Sequence, residues 1–236
     1  MKKIKAIIVL LVLSMAISCD KKNDEDTTIS GDVVIVSKKS GDNTVYALAY
    51  YAYSFSSMKS VTVKGIANST PVNLISTGTS GSDYFAKEPT DNDFSTTKPL
   101  EDTFTFNAVF NSGSTSVAQD DLTSVILDPV TILSCQYNLA NARAEFSWSA
   151  LANADSYSIA ILDDSGKIVF VSNAFANTNT QVNLTASTSG WSANNPATGK
   201  TYTVRIFAYK YEDSTNFTSD NIQSTSYSQS TVVWGQ

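Results

Sequence analysis

The side chains that could do chemistry in this chain are few, and their spacing works against catalysis. Acids stand side by side at Asp120 and Asp121 and again at Asp163 and Asp164, and alternate at Asp91 and Asp93. A glycosidase needs two carboxyls held across a cleft, whereas adjacent acids in turn-like stretches point apart. Asp91 and Asp93 could offer oxygens to calcium, but no full ligand set with a glycine turn surrounds them, so they read as solvated loop carboxylates. The 236 residues include no histidine and two cysteines, which removes histidine-based triads, the usual zinc and haem sites and the commonest general base. No GxSxG, glycine-rich phosphate loop or CxxC is present either. The expectation is a non-enzyme with no cofactor and no metal.

Of the two cysteines, Cys135 reads as a small buried hydrophobe, because Cys19 has a different use and leaves it no disulfide partner. Cys19 closes a segment that opens with Lys2, Lys3 and Lys5 and continues through the apolar run Ala6–Leu13 to Met15, Ala16 and Ile17. A positive start, an apolar centre and small residues before a cut describe a signal peptide, and the run falls short of the roughly 20 residues a spanning helix needs. Residues 1–18 are therefore expected to target the chain and be removed. The formal charge then moves from −6 to −9, since three of the sixteen Lys and Arg leave and none of the twenty-two Asp and Glu does. An acidic body repels phosphate backbones, so nucleic acid is not an expected partner.

Ala16, Ile17, Ser18 and Cys19 resemble a lipobox, the bacterial lipoprotein signal. That resemblance implies lipid on the Cys19 sulfur and amine, which would anchor the chain to a membrane without spanning it. The following DKKNDEDTT cannot bury apolar surface and reads as a solvated tether over 19–30. It is similar to the acidic export signal of surface lipoproteins of the Bacteroidetes, which implies an outer-membrane, lipid-anchored, cell-surface location. Asp26, Thr27 and Thr28, and again Asp213, Ser214 and Thr215, look like the short O-glycosylation motif of the same phylum.

The rest must supply the scaffold. From Asp32 onward there are about fourteen short runs rich in Val, Ile, Thr, Tyr and Phe, separated by turn residues at intervals that suggest all-β sandwiches. The fold expected is all-β, two tandem β-sandwiches covering 31–129 and 130–236, with the boundary at Asp128 and Pro129 because proline cannot donate to a ladder. In the first, DTFTFNAVFNSGSTSV reads as a hairpin turned through Asn111, Ser112 and Gly113. In the second, Trp148 in a second strand, Tyr157 opening a third, and the alternation Tyr202, Val204, Ile206, Ala208 in a sixth are similar to a fibronectin type III domain. The first half resembles immunoglobulin-like repeats at a general level. Pro196 lies six residues before Tyr202 rather than the family's four, which puts the tyrosine corner in doubt.

Two strands carry more aromatic surface than a core needs. If Tyr202, Val204, Ile206 and Ala208 face inward, period two sends Thr203, Arg205, Phe207, Tyr209 and Tyr211 outward. Exposed Tyr and Arg of this kind mark partner surfaces and can hold sugar rings, or the face packs against the first half or a loop such as that of Trp191. In NTVYALAYYAYSF one face carries Tyr46, Leu48, Tyr50 and Ala52, and the other Val45, Ala47, Ala49, Tyr51, Tyr53 and Phe55. That strand is either covered on both sides or shows an exposed tyrosine ladder. The function expected is non-catalytic binding or adhesion toward a glycan or protein ligand, with a structural spacer or assembly subunit as the alternative.

Overall fold

The computed structural model describes residues 27–67, 70–77, 83–192, 196–212 and 221–236. Residues 1–18, Cys19 and the tether as far as residue 26 lie outside them, as do Asp213, Ser214 and Thr215. The described residues are all β apart from one turn of 3-10 helix at Asp91–Asp93. No helix among them is long and apolar enough to cross a membrane.

The first half runs through β1 (Ser30–Ser40), β2 (Asn43–Tyr53), β3 (Met58–Gly65), β4 (Val72–Asn73), β5 (Ile75–Ser76), β6 (Tyr84–Lys87), β7 (Asp102–Phe110) and β8 (Thr115–Leu122). The second runs through β9 (Ile132–Asn138), β10 (Arg143–Trp148), β11 (Ser156–Leu162), β12 (Ile168–Val171), β13 (Phe175–Ala176), β14 (Gln181–Leu184), β15 (Thr201–Tyr211) and β16 (Ile222–Val233). The β7–β8 hairpin closes as its residues suggest: Gly113 adopts φ 89°, its N–H reaches the Phe110 carbonyl at 3.0 Å, and Phe110 N–H reaches Ser114 O at 2.9 Å. Only glycine takes that dihedral freely.

These strands build three sheets. A four-stranded sheet (β4-β3-β7-β8) and a three-stranded sheet (β14-β10-β9) each pack on a nine-stranded sheet ordered β12-β11-β15-β16-β1-β2-β6-β5, with β13 beside β11. The large sheet is continuous because β16 pairs with β1 in parallel, with Ile35 opposite Ser224 and Lys38 opposite Tyr227. Its inner face, at one end, buries Val33, Ile35, Ala52 and Phe85 against Phe104, Phe106 and Phe110. At the other end Tyr157, Ile159, Ile206 and Trp234 close on Phe146 and Trp148. Each Val, Ile or Phe among them contributes about 1.5–3 kcal/mol on leaving water.

Between these cores the segment after β8 crosses the inner face where β16 meets β1. Alternate serines hold it there. Ser224 Oγ accepts from Leu127 N–H at 3.1 Å, Ser226 Oγ donates to Asp128 O at 3.0 Å, and Ser228 Oγ donates to Val130 O at 2.6 Å. From β1, Ser37 Oγ donates to Leu127 O at 2.6 Å. A strand with period two places such hydroxyls in one row, so the crossing segment's backbone is satisfied without a ladder, while Leu127 and Val130 are buried beside it.

Tyr202 hydroxyl accepts from Ala197 N–H at 3.0 Å. The displaced proline therefore does not cost the chain the contact that a tyrosine corner provides, because any backbone N–H within reach serves.

Candidate functional site

The small sheets pack on the inner face, so the outer face of the nine-stranded sheet is left for other use. On β15, Tyr202, Val204, Ile206 and Ala208 are buried inward while Thr203, Arg205, Phe207 and Tyr209 stand outward and half-buried. Tyr211 shares the outward face but is buried there. The register shifts between Lys210 and Tyr211, and Tyr211 is only 7% exposed.

The outward rings form a pavement. Phe207 and Tyr209 lie 6.3 Å apart at an interplanar angle of 17°, and Tyr209 and Tyr211 lie 6.5 Å apart at 27°. Tyr209 hydroxyl bonds Ser158 Oγ at 2.8 Å, and Tyr211 hydroxyl bonds Ser156 Oγ at 3.3 Å. Both serines belong to β11, which pairs with β15. The rings must therefore reach sideways across the neighbouring strand, which explains why Ser156 and Ser158 are buried on an outer face. Burial pushes the Tyr209 hydroxyl above the usual phenol range, with the Ser158 hydrogen bond acting in the opposite sense. It thus stays protonated and fixed. Tyr227 on β16 extends the pavement, its ring 5.5 Å from Phe207 and beneath the Arg205 guanidinium at 5.2 Å.

Beside this pavement a cleft of about 980 Å³ opens, lined among others by Lys38, Lys39, Arg205, Tyr227, Gln229 and Cys135. It exists because β1 accompanies β16 only as far as the Lys38–Tyr227 pair. The segment carrying Asp91–Asp93 bounds it: Ser95 bridges to Tyr46 of β2, Lys38 Nζ lies 4.0 Å from the Phe94 ring centre, and Lys38 pairs with Asp91. The Lys38 contact holds the Asp91 carboxyl below its ordinary range, and hydrogen bonds from Thr90 do the same for Asp93. These two acids serve a salt bridge and a cap. Phe94 also packs with Val34, Val36 and Ala49. The outer face of β2 is thus covered at Ala47 and Ala49 and opens toward Tyr51 and Tyr53, where Tyr51 and Tyr84 stack at 6.3 Å.

Trp191 does not join the pavement. It sits on the core side, 4.9 Å from Phe170 and 5.3 Å from Trp234, with its indole N–H donated to Thr185 O. Cys135 is partly buried in the cleft wall, and burial pushes its thiol upward. Asp163 accepts from the Ser165 and Lys167 N–H groups in its turn, whereas Asp120 and Asp121 lie within β8, where alternation separates them.

A grouping that sequence reading does not show lies at the other end of the seam. Carboxylate oxygens of Asp32, Asp120 and Glu212 come within 4.8 Å of one another. Asp120 accepts from Val33 N–H at 2.7 Å, and Asp32 from Ile222 N–H at 3.4 Å. Burial, then the Asp120 charge, pushes the Glu212 carboxyl up to about 7; Asp120 is raised by burial too. A proton held between Glu212 and Asp120 relieves the repulsion that a cation would otherwise have to neutralise.

No protein-family pattern and no characterised protein sequence matches this chain. Among solved structures it aligns with a two-domain fibronectin type III segment of chicken tenascin, at 13% identity and TM-score 0.30, over 86% of this chain and 98% of that one. It also aligns with the FN1–FN3 domains of chicken CNTN1, at 13% identity and TM-score 0.29, over 89% and 66%. A third alignment is to the Bacteroides ovatus mixed-linkage glucan utilization locus protein SGBP-B in complex with a mixed-linkage heptasaccharide, at 13% identity and TM-score 0.19, over 90% and 61%.

Proposed function

We propose that this chain is a surface-exposed, lipid-anchored lipoprotein of the cell envelope, attached to the outer membrane through Cys19, that binds a glycan without chemically changing it. The observation that carries the binding reading is the pavement of Phe207, Tyr209 and Tyr227, with the Tyr209 hydroxyl tied to a serine of the neighbouring strand. Rings held flat on an open sheet face lose little conformational freedom on binding and present apolar surface to the CH faces of a sugar. The anchor reading rests on the residues around Cys19 and on the acidic stretch that follows them.

Phe207→Ala combined with Tyr209→Ala should abolish retention of the protein on intact cell-wall glycans while leaving its circular dichroism unchanged. Unchanged retention would remove this face as the site. Mass spectrometry of membrane-extracted protein should find acylated Cys19, and protease shaving of intact cells should release the folded part. The spacer reading has its own support in the serine-held crossing segment, which braces the two cores against each other. It expects the double substitution to have no effect on binding.

A further inference from the structure

The cleft beside the pavement is lined by more cations than anions in an acidic protein. The protein has a formal net charge of −6, yet Lys38, Lys39 and Arg205 line the cleft with Asp91 as the acid among its lining. Lys38 is matched by Asp91. Among the described residues neither Lys39 nor Arg205 is paired with a carboxylate. Lys39 Nζ donates to Thr44 Oγ1 at 3.1 Å, and Arg205 gives its Nε to Gln229 Oε1 at 3.2 Å while its plane lies over the Tyr227 ring. That leaves the two terminal nitrogens of a guanidinium whose orientation is already set, and such a fork matches a carboxylate or sulfate in two parallel hydrogen bonds.

Arg205 occupies the border between cleft and pavement: it lines the cleft, its ring partner Tyr227 touches Phe207, and Phe207 is its neighbour on the same face of β15. We propose that the cleft takes the acidic group of an anionic saccharide, carboxylated or sulfated, whose adjoining rings lie on Phe207 and Tyr209. This rests on the glycan-binding reading and names the class of glycan. A peptide strand fits less well. The β16 edge it would have to join has Thr231 O facing the Cys135 thiol at 3.5 Å, and β9 packs along it. The lining also includes the hydroxyls and amide of Ser228, Gln229 and Ser230, groups that suit sugar hydroxyls, beside apolar side chains such as Ile132 and Leu133.

Calorimetry on the full-length protein in detergent would test this with four probes: an oligogalacturonate, a heparin-derived oligosaccharide, a neutral cello-oligosaccharide and a polyglutamate peptide. At least one acidic saccharide should bind about tenfold more tightly than the neutral one, as one charge-assisted contact provides, and should weaken with added salt. Arg205→Gln should erase that preference, whereas Phe207→Ala with Tyr209→Ala should weaken acidic and neutral binding alike. Equal affinity for neutral and acidic saccharides, or no effect of Arg205→Gln, would overturn the assignment of the cleft while the platform reading stands. Polyglutamate binding as tightly as the acidic saccharide would overturn the choice of glycan for the cleft. No saccharide binding at all would overturn both readings.

Discussion

At the Asp32 end of the β1–β16 seam three carboxyls crowd together, and at the Lys38 end cations line an open cleft. The acids are there for a backbone reason. Val33 and Ile222 turn N–H groups toward Asp120 and Asp32, and an unpaired N–H inside the structure is costly. Satisfying those donors brings like charges together, and Glu212 responds by keeping its proton far above the usual carboxyl range. The other end has the opposite arrangement. There the strands part, and Lys39 and Arg205 settle on neutral partners. A closed end of a seam thus spends its charges on structure, whereas an open end keeps them available to a ligand.

The strongest way to break this contrast is to loosen the part of the seam between its ends. Leu127→Ala removes a side chain 2% exposed and should cost about 2–5 kcal/mol in urea unfolding. Because both cores close on one sheet, both should unfold in a single transition; two separated transitions would show that the ends are independent. Ser226→Ala, which withdraws the donor from Asp128 O, should cost about 0.5–1.5 kcal/mol by the same measurement.

Glu212→Gln sharpens the contrast through pH. In the unfolded chain this carboxyl is charged above its ordinary 4.5, whereas in the folded chain it holds its proton up to about 7. Folding therefore takes up a proton, and stability falls as pH rises through that window. The melting temperature of the substituted protein should match the wild type at pH 4 and exceed it at pH 8. Arg205→Gln at the open end should leave the difference between those two pH values as it is in the wild type.

Much of the local structure was legible in the residues. Asn111, Ser112 and Gly113 announced their hairpin, and the alternation in β15 assigned inward and outward faces correctly through Tyr211. Tyr211 faces outward with Tyr209 as period two expects, but its burial could not be read in advance, because its ring is covered only once β11 lies beside β15 and Ser156 meets its hydroxyl. The seam itself was invisible. Its strands are the first and the last described, and pairing at that separation leaves no periodic trace in either. For the same reason the acids at 32, 120 and 212 could not be grouped in advance, nor could Ser226 be seen as the partner of Asp128. The pavement was half legible: its rings could be named, but the sideways reach over β11 depends on Ser156 and Ser158 being small, which matters only once β11 lies beside β15.

The parallel pairing of β1 with β16 also decides how this protein would carry a pull. A force that enters at Ser30 and is resisted near Arg205 runs along the axis of β1, which is bonded on one flank to β2 and on the other to β16. Those hydrogen bonds lie across the strand, so they bear the load together as shear and do not open one after another like a zip. A tethered protein that holds its ligand at the Lys38 end would pull its own seam in the direction in which that seam yields last.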